Sequence, residues 1–321
     1  MIFRPRRVTI LLMMQEFNDH TPIDQAEPLP FPFNQRAYCK YEPIEKRIEA
    51  IRVLVVDDLL RDERDISDVA RAEWGRRAEG HLKREREIAG LALGNIRNNI
   101  ARLVRHPETE IAHFSEIAEA SERFRPDAIV LSGTLRDFDY YKPELLEGFG
   151  RFIRETKIPV LGICGGHQLV GLGFGARVLT LDNREQHENR VSRPFEYQYR
   201  FIRIVDAQDP IFSGIDSRDS GIWQDYTIEA CILRVWQNHG LQLDRVPEGF
   251  KLIATAYFCR NQMMVKRTEG QLIYTVQYHL EKSFEDWDKR RATRWQHPND
   301  SRDGRIIFEN FLRLALEHPR G

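Results

Sequence analysis

The 321-residue sequence has few cysteines, and its four cysteines form no CxxC pair. Disulfide frameworks and structural zinc sites need paired or closely spaced cysteines, so we expect neither, and the sequence indicates no metal or cofactor. Long apolar runs are also missing. The longest, residues 8–14 and 128–131, fall far below the roughly 20 residues that span a bilayer. We therefore expect no membrane association and a cytoplasmic protein.

An excess of charge of one sign is absent as well, since 48 lysines and arginines face 49 aspartates and glutamates. The net charge of −1 supplies no long-range field that would attract nucleic acid. A hydrophobic share of 41% nevertheless suffices for one large core or two modest ones. The composition is therefore that of an ordinary globular protein.

Residues 1–50 differ in texture from the rest of the chain. Residues 21–41 contain four prolines among charged residues and show no sustained hydrophobic periodicity. We interpret residues 1–50 as an N-terminal extension. A buried strand over residues 51–58 then opens the folded domain, residues 51–321.

Strand and helix patterns alternate from residue 51 onwards. The proline-free residues 60–105 carry apolar side chains at helical intervals, which predicts one or two long helices. Arginines and glutamates are interleaved there, which favours a solvated, ion-paired surface over a nucleic-acid face. Strand–helix alternation continues to residue 174, and shorter β-like segments follow. The predicted fold class is α/β, with a doubly wound, mixed, mostly parallel sheet and flanking helices.

The most informative segment runs from a buried strand into Gly162-Ile-Cys-Gly-Gly166. This G-x-C-x-G pattern is the thiol version of the nucleophile elbow, in which small residues on either side of the nucleophile permit a sharp strand-to-helix turn. Cys164 would lie at the N-terminus of a helix, where the helix dipole favours the reactive thiolate. A buried cysteine beside glycines that only permit tight packing is the structural alternative.

A base for Cys164 is offered by a late apolar strand that delivers His279 and Glu281. Side chains two residues apart in an extended segment point to the same side, so the carboxylate can orient the imidazole. The pattern predicts a Cys-His-Glu triad in which His279 accepts the thiol proton and Glu281 fixes the imidazole tautomer. For His279 alone, a half-buried histidine without a catalytic role is the alternative.

Together these segments resemble the class I glutamine amidotransferase family. Its nucleophile loop reads roughly G-[IV]-C-x-G-x-Q and its late motif Q-[FY]-H-P-E, which stand here as Gly162-Ile-Cys-Gly-Gly-His-Gln168 and Gln277-Tyr-His-Leu-Glu281. Further matches follow in the family's order, and they are Leu131-Ser-Gly-Thr134, Val235-Trp-Gln-Asn-His-Gly240, Val246-Pro-Glu-Gly-Phe250 and Ile307-Phe-Glu-Asn-Phe311. The extension 1–50, a helical insertion at about 60–105 and a short insertion at about 282–303 lie outside the resemblance.

The resemblance implies a role for five residues of the reaction centre. Cys164 would be the nucleophile, His279 the general base and then the general acid, and Glu281 the orienting carboxylate. Gly133 and Gly165 would donate their backbone N–H groups to an oxyanion hole.

The resemblance also implies substrate contacts from Gln168, Thr134 and His239. His239 has no carboxylate nearby in the sequence, which favours substrate-side or structural use over catalysis. Thr134 and Leu135 replace the glycine and proline of the family's oxyanion loop, and threonine adopts a positive φ less easily than glycine. Leu280 replaces the proline of the late motif, which leaves both triad side chains in place.

The implied reaction forms a γ-glutamyl thioester and ammonia from glutamine, and water then releases glutamate. No ATP-binding P-loop is visible, so we expect the ammonia to pass to a separate synthase subunit. The alternative is a standalone γ-glutamyl hydrolase or peptidase, and a catalytically silent binding scaffold is the second alternative. We expect residues 1–50 and the helices of residues 60–105 to form a partner-facing or self-association surface, the latter giving a homo-oligomer.

Overall fold

A computed structural model describes residues 44, 46–215, 232–282 and 302–319. Most of the predicted N-terminal extension and most of the predicted insertion at about 282–303 therefore lie outside the described residues. The same holds for Cys39 and Cys231. No helix in the described ranges is long and apolar enough to cross a membrane.

The described ranges contain eleven strands and six α-helices. The strands are β1 (Ile48–Asp57), β2 (Val104–His113), β3 (Ala128–Leu131), β4 (Val160–Ile163), β5 (Val178–Thr180), β6 (Glu196–Ile204), β7 (Ile232–His239), β8 (Leu241–Leu243), β9 (Lys251–Thr255), β10 (Met263–Arg267) and β11 (Leu272–Val276). The helices are α1 (Asp68–Trp74), α2 (Ala78–Leu103), α3 (Ile117–Phe124), α4 (Pro143–Glu155), α5 (Gly165–Gly173) and α6 (Arg302–Glu317).

Nine of the strands form one sheet in the order β2-β1-β3-β4-β11-β10-β9-β6-β7, and β5 and β8 pair separately. Neighbours from β2 to β11 are parallel, whereas every later pair is antiparallel. Alternating the direction after β11 leaves only β10 and β6 opposed to the other seven strands. The predicted mixed, mostly parallel α/β sheet is confirmed.

Strand β1 shows why this sheet is covered on both faces. Val53, Leu54, Val55 and Val56 are all fully buried, as expected of a central parallel strand. Successive side chains point to opposite faces. Val53 and Val55 pack in a core with apolar side chains of α2 and α6, while Leu54 and Val56 pack in a second core with those of α3, α4 and α5.

The predicted helical stretch forms α1 and α2, and most of its apolar side chains face the chain's own core. Trp74, Leu82 and Ile100 are buried, and the successive turns of α2 that carry Ile96 and Ile100 pack beside β1. Within the described residues this stripe is covered, so the expected apolar partner-facing surface is not formed by these side chains. Helix α2 instead packs on β1 and β2 of the sheet.

Strand β2 departs from the predicted elements at its start, because it begins at Val104, within residues 60–105, for which the sequence predicts helices. It lies at the edge of the sheet and pairs with β1 along nearly its whole length. Edge strands accept polar side chains and even a proline, and Pro107 lies within this one. The polar residues and the proline, which make β2 hard to recognise as a strand in the sequence, are therefore compatible with an edge position.

Candidate active site

Cys164 connects β4 to α5 in a strained backbone conformation, with φ of 51° and ψ of −100°. Non-glycine residues rarely adopt a positive φ, and such strain is characteristic of a nucleophile elbow. The turn depends on its flanking glycines. A β-carbon at Gly162 would lie 2.8 Å from the carbonyl oxygen of Gly166, and one at Gly166 would lie 2.6 Å from Cβ of Leu131. The segment therefore has the geometry that the sequence pattern predicts.

His279 and Glu281 lie just beyond the end of β11, beside this elbow. Nδ1 of His279 is 2.8 Å from Oε1 of Glu281, and both side chains are buried. The backbone N–H of His279 donates to the carbonyl of Trp236 at 2.8 Å, which ties the histidine to β7. The backbone N–H of Cys164 donates to the carbonyl of Val276 at 2.8 Å, which ties the elbow to β11. Adjacent parallel strands thus bring the predicted triad residues together.

The charges around His279 favour its protonated form. Burial and Lys282 lower the pKa of His279, but Glu281 and Cys164 outweigh them and raise it to about 9. Burial raises the pKa of Glu281, but His279 outweighs this effect and the net shift is downwards. Both shifts therefore favour the imidazolium–carboxylate form of the pair.

Gly133 lies directly against Cys164 and His279. A β-carbon added to Gly133 would lie 3.2 Å from Cε1 of His279 and 3.6 Å from Cβ of Cys164. The N–H groups of Gly133 and Gly165 donate no hydrogen bond to any group in the described ranges. Both N–H groups are therefore available to a negatively charged oxygen bound beside Cys164.

Thr134 stands where the family has glycine, and its backbone does not adopt a positive φ. The loop therefore reaches the site without the backbone strain expected of threonine at a glycine position. Instead it packs closely on the helix start, since a β-carbon at Gly165 would lie 2.3 Å from the backbone nitrogen of Thr134. Close packing, rather than glycine flexibility, fixes the position of the loop here.

This packing makes Gly165→Ala a direct test of the loop. Its added methyl group must displace the backbone of Thr134, so we expect kcat for amide hydrolysis to fall by about 10²-fold, the size of effect seen when an oxyanion donor is lost. The matched control is Gly148→Ala in α4, where an added β-carbon meets nothing within 4 Å and activity should not change. Equal kinetics for the two variants and wild type would exclude the oxyanion role of this loop.

Gln168 and Gln277 form a buried amide chain that leads to the nucleophile. The side-chain amide of Gln168 donates to the carbonyl of Leu241 and to Oε1 of Gln277, both at 3.0 Å. The amide of Gln277 in turn lies 3.7 Å from Sγ of Cys164, within donor reach of the sulfur. Sequence reasoning did not assign Gln277 to the site, although its place two residues before His279 puts it on the same side of the strand end.

His239 is buried and has a carboxylate partner that sequence reasoning missed. Its Nε2 lies 3.1 Å from Oε2 of Glu196, which stands at the start of the neighbouring strand β6. Its Nδ1 shares the carbonyl of Leu241 with Gln168, at 2.9 Å. This carboxylate cannot be recognised from sequence proximity, because Glu196 lies 43 positions before His239 while antiparallel pairing places the two opposite each other.

Leu280, which stands where the family has proline, fills space between the triad and α6. It is 2% exposed and packs in the core that contains Ile307 and Phe308. Gly304 allows this approach, since a β-carbon there would lie 2.7 Å from the carbonyl oxygen of Leu280. The replacement therefore anchors the segment between His279 and Glu281.

No group of three or more potential metal-ligating side chains occurs among the described residues.

Cys164 thus forms a strained elbow beside a buried imidazole–carboxylate pair, at the carboxyl ends of parallel strands. This is the arrangement expected of a cysteine hydrolase on an α/β sheet. The sequence profile of "Glutamine amidotransferase class-I" matches residues 92–295. This match spans more than half of the chain, and the chain belongs to the class I glutamine amidotransferase family. The predicted family is thereby confirmed.

Named relatives agree with this assignment. The chain is 30% identical over 195 residues to the glutamine-hydrolyzing GMP synthase of Clostridium novyi, covering 59% of this chain and 31% of that protein. It is 26% identical over 200 residues to a glutamine-hydrolyzing GMP synthase subunit of Thermoplasma acidophilum, covering 62% of this chain and 78% of that subunit. A solved structure described as a GMP synthase subunit protein of the same organism shares the fold, with a TM-score of 0.50 and 22% identity. The similarity covers 83% of this chain and 94% of that chain. The matched region is thus under a third of the first relative and most of the second.

Proposed function

We propose that the chain hydrolyses the side-chain amide of glutamine to glutamate and ammonia, and that the ammonia passes to a separate synthase subunit. The observation that carries this proposal is the Cys164 elbow beside the 2.8 Å His279–Glu281 pair, within the matched residues of the family. The relatives' names support the substrate, since both are glutamine-hydrolysing synthases or their subunits.

The first half of the reaction uses the protonated pair. The Cys164 thiolate attacks the carbonyl carbon of the amide. The carbonyl oxygen becomes an oxyanion, which accepts hydrogen bonds from the backbone N–H groups of Gly133 and Gly165. When the carbon–nitrogen bond breaks, His279 transfers its proton to the leaving nitrogen. Ammonia leaves, and a γ-glutamyl thioester remains on Cys164.

The second half reverses the proton transfer. Neutral His279 removes a proton from water, which attacks the thioester carbonyl, and the same two N–H groups bind the second oxyanion. Collapse of this intermediate releases glutamate and restores the thiolate beside a protonated imidazole. Glu281 stays ionised throughout and stabilises the positive ring at its Nδ1 side.

Glutamate release from glutamine by the purified chain tests this function. We expect slow release by the chain alone and faster release when an ammonia-using synthase and its substrates are present. A synthase of the GMP synthase type is the first partner to try, because the relatives carry that name. No glutamate release under either condition would contradict the proposal.

A γ-glutamyl hydrolase acting on a larger amide is the second candidate. Thr134 and Leu135 in place of the family's glycine and proline favour it, because they alter the loop that faces the substrate carbonyl. A γ-glutamyl peptide assayed beside glutamine separates the two functions. A kcat/KM at least tenfold higher for the peptide, unchanged by any synthase, would favour the hydrolase.

A further inference from the structure

Helix α2 contacts both sides of the reaction centre, although its first half precedes the matched residues 92–295. Near its N-terminal end, Oε1 of the fully buried Glu85 accepts a hydrogen bond from Nε of Arg136 at 3.0 Å. Near its C-terminal end, the side-chain amide of Asn99 donates to the backbone carbonyl of Glu281 at 2.6 Å. One rigid helix is therefore tied both to the triad carboxylate segment and to the residue that follows the oxyanion loop.

We propose that Glu85, acting through Arg136, is a positioning residue that sets the oxyanion loop, residues 133–135, against Gly165. This inference rests on the proposed amide hydrolysis, because it concerns the loop that receives the oxyanion in that reaction.

The anchors on either side of the loop support the proposal. Before the loop, Ser132 is held by two backbone donors: its carbonyl accepts from the N–H of Gly166 at 2.9 Å, and its hydroxyl accepts from the N–H of Asp58 at 3.1 Å. After the loop, Arg136 is held by Glu85. The three residues between these anchors include both Gly133 and Thr134, so a shift of Arg136 is transmitted directly to the N–H group that faces Cys164.

Arg136 has little freedom to leave this position. Its guanidinium carbon lies 5.4 Å from the ring centre of Trp74, and Nη2 donates to Nδ1 of His81 at 3.0 Å. Trp74 and His81 belong to α1 and α2, the same helical stretch that carries Glu85. An arginine held by a buried carboxylate and a ring face is fixed in direction as well as in place. Helices α1 and α2 thus hold the arginine that follows the oxyanion loop.

The test compares Glu85→Ala with Glu87→Ala, which removes an exposed glutamate from the same helix. We expect Glu85→Ala to lower kcat for glutamine hydrolysis by about 10- to 100-fold with little change in KM, since oxyanion donors act mainly in the transition state. Alkylation of Cys164 by iodoacetamide should keep its wild-type rate, because that displacement forms no oxyanion. Glu87→Ala should match wild type in both assays.

Two further variants separate positioning from folding. Glu85→Gln keeps an acceptor for Arg136 and should recover most of kcat, and Glu85→Ala combined with Arg136→Met should lose no more than Glu85→Ala alone. Wild-type kinetics for Glu85→Ala, a parallel loss in alkylation, or additive losses in the double variant would each overturn the positioning role. If Glu85→Ala does not fold, Arg136→Lys replaces it as the variant expected to lose kcat, and Glu85→Gln and Glu87→Ala remain the variants expected to keep it. Absence of hydrolysis by the wild-type chain with every substrate and partner would instead refute the proposed function itself.

Discussion

Cys164→Ala is expected to remove all measurable hydrolysis of glutamine and other γ-glutamyl amides. The thioester cannot form without the sulfur, and neither His279 nor the two loop N–H groups can supply a covalent nucleophile. Loss of the nucleophile alone costs about 10⁶-fold in kcat in a comparable serine hydrolase, and we expect a loss of that order here. The fold should persist, because alanine fills part of the same buried space and keeps the backbone hydrogen bonds of residue 164.

The measurement is glutamate release together with labelling by a glutamine analogue that carries an electrophilic side chain. Wild type should be labelled at Cys164 alone, and Cys164→Ala should not be labelled. Cys259→Ala is the matched control: Cys259 is also buried, but burial raises the pKa of its thiol far above the usual value and keeps it unreactive. Activity retained by Cys164→Ala, or label found on Cys39, Cys231 or Cys259, would refute the assignment.

The elements that build this site are predictable because each has a local signature. A strained elbow requires small residues around Cys164, and the sequence places glycines where the structure brings backbone closest. The His279–Glu281 pair is equally local, since two residues in an extended segment face one side. Hydrophobic runs such as β1 are recognisable because central parallel strands are buried on both faces.

The remaining parts of the site depend on contacts between distant segments. Glu196 reaches His239 only through antiparallel strand pairing, and Glu85 reaches Arg136 only because α2 packs on the sheet. A single glutamate among many on a charged helix has the same local pattern whether it faces solvent or a buried arginine. Burial separates Glu85 from Glu87, and burial follows from tertiary packing rather than from helical propensity.

The same reasoning explains why α2 differs from the surface expected of residues 60–105. Interleaved arginines and glutamates indicate a solvated face, and many of these side chains are indeed exposed. The opposite face carries the apolar stripe, which packs beside β1. An amphipathic pattern reports that one face is covered, but it does not report whether the cover is the chain itself or a partner.

His279→Asn should abolish nearly all activity, whereas Glu281→Gln should retain part of it. Asparagine can neither take the proton from Cys164 nor return it to the leaving nitrogen, so we expect a loss on the order of 10⁴-fold. Glutamine at 281 can still accept a hydrogen bond from Nδ1 of His279 and hold the ring in place, but it removes the negative charge, so we expect a loss on the order of 10²-fold. Similar small losses in both variants would remove the pair from the mechanism.

The pH dependence of Glu281→Gln gives this prediction its sharpest form. Glu281 helps to raise the pKa of His279 to about 9, so the alkaline decline of wild-type kcat/KM should fall near that pH and move to lower pH in the variant.

The free energy of unfolding should depend on pH through the same two charged groups. The raised pKa of His279 stabilises the fold fully below about pH 6.5, its value in the unfolded chain, and this contribution is lost as the pH rises through about 9. The lowered pKa of Glu281 stabilises the fold above about pH 4.5, and that contribution is lost as the pH falls through the folded value. Denaturant unfolding should therefore show the largest gap between wild type and Glu281→Gln at about pH 4.5–6.5, narrowing towards pH 9. A gap that is constant across this range, with an unmoved kcat/KM profile, would show that the carboxylate and the imidazole do not act as a charged pair.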